Sequence, residues 1–219
     1  MSALKIPQLW LFAGPNGAGK STFTQFPEWS RHIRHFLNAD ELTRELLRVQ
    51  GLPSFAAAPT EVLHQVNLAA AKKVFAEVAR LLDAGEAVAV ETVLSTAKYR
   101  PVIEKLRRDG GIFNLIYVGL SSPELSRERV RARVLKGGHP VPEEKLPGRW
   151  QRSLENLPWF ARQADHCFVY DNSDSDFSSK PAVVALTGGA PGRLQFVNRT
   201  ANPPVTEVLL RSGLFVIEP

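Results

Sequence analysis

A three-layer α/β fold, with a mostly parallel sheet between two layers of helices, is what this sequence predicts. Three observations carry the prediction. Short apolar runs alternate with helical stretches along most of the 219 residues, the pattern of parallel strands joined by crossovers. A glycine-rich segment, 14–22, stands between the first apolar run and the first helix. Two late runs, 181–186 and 194–197, lie too close together for a crossover and read as an antiparallel hairpin at the sheet edge. The length suits one α/β domain with a well-buried core, and no repeat, linker or low-complexity segment divides it.

Bulk composition narrows the functional classes. Charged residues make up 22% and apolar ones 44%, ordinary for a soluble protein. No apolar run nears the ~20 residues of a membrane helix. Pro7 interrupts the N-terminal stretch, which resembles no signal peptide. Cys167 is the lone cysteine, so no internal disulfide forms, which suits a reducing, cytoplasmic location. The net charge of +5 has two readings, nucleic acid or arginines gathered for nucleotide phosphates. The second is preferred, because no recognition motif and no alternation of aromatic and basic residues is present.

The segment Gly14-Pro15-Asn16-Gly17-Ala18-Gly19-Lys20-Ser21-Thr22 fits the phosphate-loop pattern without mismatch. The strand 9–13 runs into it and the helix 20–26 leaves it. Glycines at 14, 17 and 19 let successive N–H groups turn inward on a polyphosphate. Lys20 is placed to reach the β- and γ-phosphates, and the Ser21 hydroxyl to ligate Mg²⁺. ATP and Mg²⁺ are the expected cofactors.

A second strand is expected at 34–40, with Asp40 at its carboxyl end, where α/β sheets bind ligands. Asp40 either does chemistry or caps the helix suggested by 41–47, or both. Residues 51–59 form a Pro/Ala-rich loop. Thr60 reads as the cap of a long helix to about residue 84, about 37 Å at 1.5 Å per residue. The strand 87–93 is apolar until Glu91, a carboxylate that holds Mg²⁺ or its waters, orients a substrate, or simply pairs with an arginine. A helix follows over 95–109, with Lys98, Arg100, Lys105, Arg107 and Arg108 mostly on its wet face. The strand 112–120 has the unbroken apolar character of a central parallel strand.

Ser121-Ser122-Pro123-Glu124 starts the next helix. It carries Arg127, Arg129, Arg131 and Arg133, with Arg129 and Arg133 on one face. Residues 136–142 break it, and a second helical stretch holds Arg149 and Arg152. An arginine-bearing helical pair over about 122–155 reads as a lid closing over ATP, because the guanidinium fork grips phosphate oxygens. The bland alternative is an exposed basic hairpin. A fifth strand is expected at 166–172, a polar turn at 172–179 and a final helix at 205–211.

Phosphoryl transfer needs a held polyphosphate, a metal, positive charge on the moving group and an oriented nucleophile. The loop and Ser21 supply the first two. Arg129 or Arg133 supplies the third, and Asp40 the fourth by accepting the proton of a substrate hydroxyl. No apolar run ending in Asp-Glu and no guanine-reading motif marks a motor or a switch. A small-molecule kinase is therefore favoured over a nucleotide-driven switch or a nucleic-acid 5′-end kinase.

The loop, Asn38-Ala39-Asp40, Val90-Glu91-Thr92, Leu120-Ser121-Ser122-Pro123-Glu124-Leu125, Arg129-Val130, Gly137-Gly138-His139, Val141-Pro142 and Tyr170-Asp171-Asn172 together resemble the zeta toxin family of P-loop kinases. The resemblance spans roughly residues 8–172. It implies the P-loop kinase fold, and transfer of the ATP γ-phosphate to a hydroxyl of UDP-N-acetylglucosamine. It also implies an epsilon antitoxin as partner, blocking the nucleotide site. It makes Lys20 the phosphate-binding lysine, Asp40 the general base, Glu91 an orienting acid, and Arg133, with Arg129 as rival, the first lid arginine. The expected acceptor-binding set is Asp40, Arg44, Glu91, Thr92, His139 and Arg149. The sequence departs from the family where a second lid arginine belongs, since His139 stands near that place. Either His139 contacts phosphate or Arg149 folds in. No counterpart of the toxins' sugar-binding segment is evident.

Overall fold

The computed structural model of the chain describes residues 6–26, 29, 31–174, 181–188 and 190–214. Its sheet grows from β1 (Gln8–Ala13), whose neighbours are β3 (Ala87–Thr92) on one side and β4 (Ile112–Gly119) on the other. β2 (His35–Leu37) extends the sheet beyond β3, and β5 (His166–Asp171) beyond β4, all in parallel. β6 (Ala182–Thr187) and β7 (Leu194–Phe196) add antiparallel, giving the order β2-β3-β1-β4-β5-β6-β7. The chain order reverses at β1, so the crevice at its carboxyl end is where an open α/β sheet takes a ligand.

Period-2 alternation decides which side chains face which layer. Leu9, Leu11 and Ala13 pack with Val88, Val90, Phe113, Leu115 and Tyr117 on one face. Trp10 and Phe12 pack with Ala89, Ile116 and Val118 on the other. Every residue from Leu9 to Ala13 is buried, which explains why β1 reads as a continuous apolar run. The first face is covered by α3 (Thr60–Asp83), α4 (Arg100–Arg108), α6 (Leu146–Gln163) and α7 (Pro203–Arg211). The second is covered by Phe23 of α1 (Lys20–Phe23), Phe26, Trp29 and Leu125 of α5 (Pro123–Leu135). α2 (Ala39–Val49) packs on α3, joined by a small cluster of Leu47, Phe55 and Val66. Burying such side chains stabilises the fold by roughly 1.5–3 kcal/mol each.

Several boundaries differ from the sequence reading. β2 ends at Leu37, and Asp40 belongs to the first turn of α2 instead of a strand end. Asn38 is the cap there, its side chain accepting from the Asp40 and Glu41 N–H groups. Thr60 is the first helical residue of α3, and Pro59 precedes it. α1 ends at Phe23, and turns carry the chain on to Phe26. The helix expected from residue 95 starts only at Arg100, with Pro101 in its first turn, after a left-handed Leu94, φ 60°. Short 3₁₀ turns at Phe55–Ala57 and Glu143–Lys145 occupy stretches read as irregular or helical. The Ser122 cap and Pro123 start α5 as expected. The polar turn expected at 172–179 lies partly outside the described residues.

Candidate active site

Gly14 carries the chain out of β1 with φ 140°, and a Cβ there would lie 2.1 Å from the Val118 carbonyl oxygen. Only glycine fits so close a backbone approach. The loop that follows is braced from both sides. The Ser126 hydroxyl of α5 donates to the Asn16 carbonyl at 2.7 Å. The Asn172 amide, just past β5, donates to the Ala18 carbonyl at 2.9 Å. Arg129 fixes that second brace by donating to the Asn172 and Asp174 carbonyls, both at 2.6 Å. Lys20 is buried and donates to the Pro15 carbonyl at 2.9 Å. Burial pulls its pKa down and so does Arg133, while the charges of Glu91 and Asp40 oppose the fall.

β3 delivers Glu91 and Thr92 beside the loop. Burial raises the Glu91 pKa, Asp40 and Glu41 raise it further, and Lys20 and a hydrogen bond from Ser21 oppose the rise. Its Oε1 is buried without a hydrogen-bond partner among the described residues. The Thr92 hydroxyl accepts from the Leu94 N–H at 3.1 Å, which closes the turn that strains Leu94. α6 holds that wall in place. Asn156 donates to the Leu94 carbonyl at 3.0 Å, Arg100 donates to Asn156 at 3.0 Å, and Arg152 donates to the Ser95 carbonyl at 3.2 Å.

Asp40 faces this wall, its side chain half exposed. His139 Nδ1 lies 3.7 Å from Asp40 Oδ1, and its Nε2 lies 2.8 Å from Asn67 Oδ1 on α3. Burial lowers the His139 pKa, Asp40 opposes, and Arg133, Arg149 and Arg44 lower it further. Arg133 donates to the His139 carbonyl at 2.7 Å, and its Nε has no partner among the described residues. Burial lowers the Arg149 pKa too, helped by Arg152 and opposed by Asp40.

A single cavity of about 910 Å³ gathers these groups. Asn16, Gly17, Gly19, Lys20, Ser21, Thr22, Asp40, Glu91, Thr92, Arg129, Arg133, His139 and Arg149 all line it. Gly14, Pro15 and Ala18 shape the loop from behind, and Arg44 stacks over Phe55 outside the lining. Arg129 and Arg133 share a face of α5, but Arg129 supports the loop and Arg133 reaches toward His139. The sequence reading passed over Asn67 and Ser126, and quoted Asn172 in a motif without giving it a role. It also took Lys98 for a solvated helix residue, whereas Lys98 precedes α4 and lines the cavity. Six lysine and arginine side chains line the space against two carboxylates, an excess of four positive charges.

The phosphate loop at the switch point of a mostly parallel sheet defines a nucleotide-binding protein with a P-loop kinase-like fold. An AAA domain family matches residues 9–157, and the chain belongs to that family. No curated protein sequence matches it. Among solved structures, the chain is similar to AvrRxo1-ORF1 in its complex with ORF2 and sulphate ions, with a TM-score of 0.68 at 14% identity. That match covers 97% of this chain and 66% of the other. The same complex has been solved with ATP. The PezAT toxin-antitoxin system of Streptococcus pneumoniae gives a TM-score of 0.57 at 16% identity, covering 100% of this chain and 82% of the other. At such identities the likeness is one of fold. No helix among the described residues is long and apolar enough to cross a membrane.

Proposed function

We propose that the protein is an ATP- and Mg²⁺-dependent kinase. It transfers the γ-phosphate to a hydroxyl of a UDP-activated sugar of the UDP-N-acetylglucosamine type. One observation carries the reading. Lys20, at the base of the phosphate loop, and Asp40, half exposed on the opposite wall, share one cavity and sense each other's charge.

The loop amides and Lys20 bind the β- and γ-phosphates, with Lys20 exchanging its bond to the Pro15 carbonyl for phosphate oxygens. The site suits Mg²⁺ because Ser21 offers a hydroxyl next to a Glu91 oxygen that has no hydrogen-bond partner among the described residues. No cluster of three or more His, Cys, Asp or Glu exists among the described residues, and a kinase metal held by one hydroxyl and the nucleotide needs none. Ser21, with Glu91 beside it, would hold Mg²⁺, which would supply charge neutralisation for the phosphates. Arg133 places its guanidinium toward the moving phosphoryl group, and Asp40 takes the proton of the acceptor hydroxyl. Arg44, Thr92, His139 and Arg149 orient the acceptor. The positive excess of the walls favours an acceptor that carries its own phosphates.

Closure of the arginine-bearing helical pair over about 122–155 on the nucleotide, an antitoxin-like protein that covers the site, and a cytoplasmic location belong to the same proposal. The fold shared with PezAT supports the partner, and the buried lone cysteine supports the location. Incubation with Mg-ATP and a panel of UDP-sugars, followed by mass spectrometry, tests the function. A phosphorylated sugar lost in Lys20→Ala supports it. Release of phosphate to water alone, with every sugar unchanged, points instead to a nucleotide-driven switch. Salt-dependent phosphorylation of oligonucleotide 5′ ends points to a nucleic-acid kinase.

A further inference from the structure

The Asn67 side-chain amide places its oxygen, which can only accept, 2.8 Å from His139 Nε2, and in that arrangement Nε2 carries the proton of the neutral ring. That leaves Nδ1 as a bare acceptor. It is buried, it has no hydrogen-bond partner among the described residues, and it faces the Asp40 carboxylate at 3.7 Å. Two acceptors turned on each other make a site for one proton. The ring is also held in that orientation. Phe55 packs edge-on against it with centroids 4.8 Å apart, and Arg133 ties the His139 carbonyl at 2.7 Å. The histidine side chain is only 12% exposed, against 50% for Asp40, so bulk water reaches the carboxylate far more readily than the imidazole.

We propose that His139 is a positioning residue that works through Asp40, receiving at Nδ1 the proton that Asp40 takes from the acceptor. This deepens the kinase reading and rests on Asp40 being its base. The balance is simple. The acceptor O–H bond breaks as its oxygen bonds the γ-phosphorus, and the bond from that phosphorus to the ADP oxygen breaks. The proton passes to Asp40 and on to Nδ1, while Nε2–H stays on Asn67. The ring becomes an imidazolium paired with a restored carboxylate, and it then loses the proton to water. Below the His139 pKa the same ion pair forms before turnover and blocks the base. The charged groups facing the ring are Asp40 and Arg44 from α2, Arg133 from α5 and Arg149 from α6, with uncharged Asn67 from α3. The three arginines and burial keep the resting ring neutral below the ordinary histidine value of about 6.5.

Ring ¹⁵N NMR on the intact protein reads the pair without any substrate, with the His139 signal assigned by its loss in His139→Gln. The expected neutral form carries its proton on Nε2, titrates below about 6.5, and titrates lower still in Asp40→Asn. Protonation of Nδ1 in the neutral ring, or a titration that ignores Asp40→Asn, overturns the proposal. Turnover of Mg-ATP with UDP-N-acetylglucosamine as probe gives the second readout. His139→Gln should lower turnover about tenfold at neutral pH and move the acid limb of the rate profile down by about one pH unit. Asn67→Asp, whose carboxylate stabilises the imidazolium, should move that limb up. A purely structural His139 would leave that limb in place in both variants. If Asp40→Asn keeps full turnover, the kinase reading itself falls. If it abolishes turnover and the limbs stay put, only the relay falls.

Discussion

Ser126 of α5 donates its hydroxyl to the carbonyl of Asn16 at 2.7 Å, and both residues are buried. That bond ties the helix carrying Arg129 and Arg133 to the phosphate loop, 110 residues earlier in the chain. A rearrangement of one is therefore felt by the other. Ser126→Ala leaves a buried carbonyl oxygen short of a partner, which costs about 1–3 kcal/mol. The expected outcome is a lower denaturation midpoint and a weaker ATP affinity, by urea melts and calorimetric titration. Unchanged values in both would show that the loop holds its shape unaided.

The close approach of Gly14 to Val118 gives a sharper prediction. A methyl group at residue 14 would press on a backbone carbonyl that the sheet cannot move, at a backbone angle closed to other residues. Gly14→Ala should abolish ATP binding, measured with a fluorescent ATP analogue, and lower the melting temperature. Gly51→Ala serves as a contrast, because a Cβ there meets nothing within 4 Å, although its φ of 78° still costs about 1 kcal/mol. ATP affinity should survive that change.

Arg129 and Arg133 are separable by kinetics. Arg129 is bonded to the carbonyls beyond β5, so Arg129→Met should weaken ATP binding and stability together. Arg133→Ala should lower turnover by about a hundredfold and change ATP affinity little, because its contact with the phosphoryl group strengthens as charge moves. Equal losses of affinity and turnover in Arg133→Ala would make it a plain binding residue.

Cys167 of β5 is buried in the main core, and burial pushes its thiol up to about 12. An unfolded thiol titrates near 8.5. Between those values the folded state holds a proton that the unfolded state has lost. Stability is unaffected below about pH 8.5 and falls by roughly 1.4 kcal/mol per pH unit above it. Urea denaturation at pH 8, 9 and 10 should show that slope, and Cys167→Ala should flatten it. A flat profile for the unsubstituted protein would contradict the burial. A disulfide reagent should also label Cys167 only after unfolding.

The strands and the phosphate loop were legible for a physical reason. Buried parallel strands are apolar on both faces, and the loop's glycines admit few substitutes, so both leave marks in the sequence. The turn before α4 was not legible, because nothing in Leu94-Ser95-Thr96 announces a left-handed leucine, although Pro101 marks the helix start itself. The Thr92 hydroxyl and Asn156, 62 residues beyond Leu94, impose that angle from outside the segment. The sequence reading allowed Asp40 as the cap of this helix, but Asn38, two residues earlier, takes that place. The choice of Asn38 frees the Asp40 carboxylate to face the cavity. Asn67 lay hidden on a long amphipathic helix, where one polar residue near the apolar stripe carries no signal of its partner. The pairing with His139 emerges only when α3 is laid beside the break after α5.

The central claim is that Asp40 serves as the base across the cavity from the phosphate loop. Its most direct test is phosphoryl transfer by Asp40→Asn with Mg-ATP and the UDP-sugar panel, with ATP affinity measured alongside. The predicted result is ATP binding close to that of the unsubstituted protein and transfer reduced by a factor on the order of 10²–10⁴. Transfer at an undiminished rate would contradict the account.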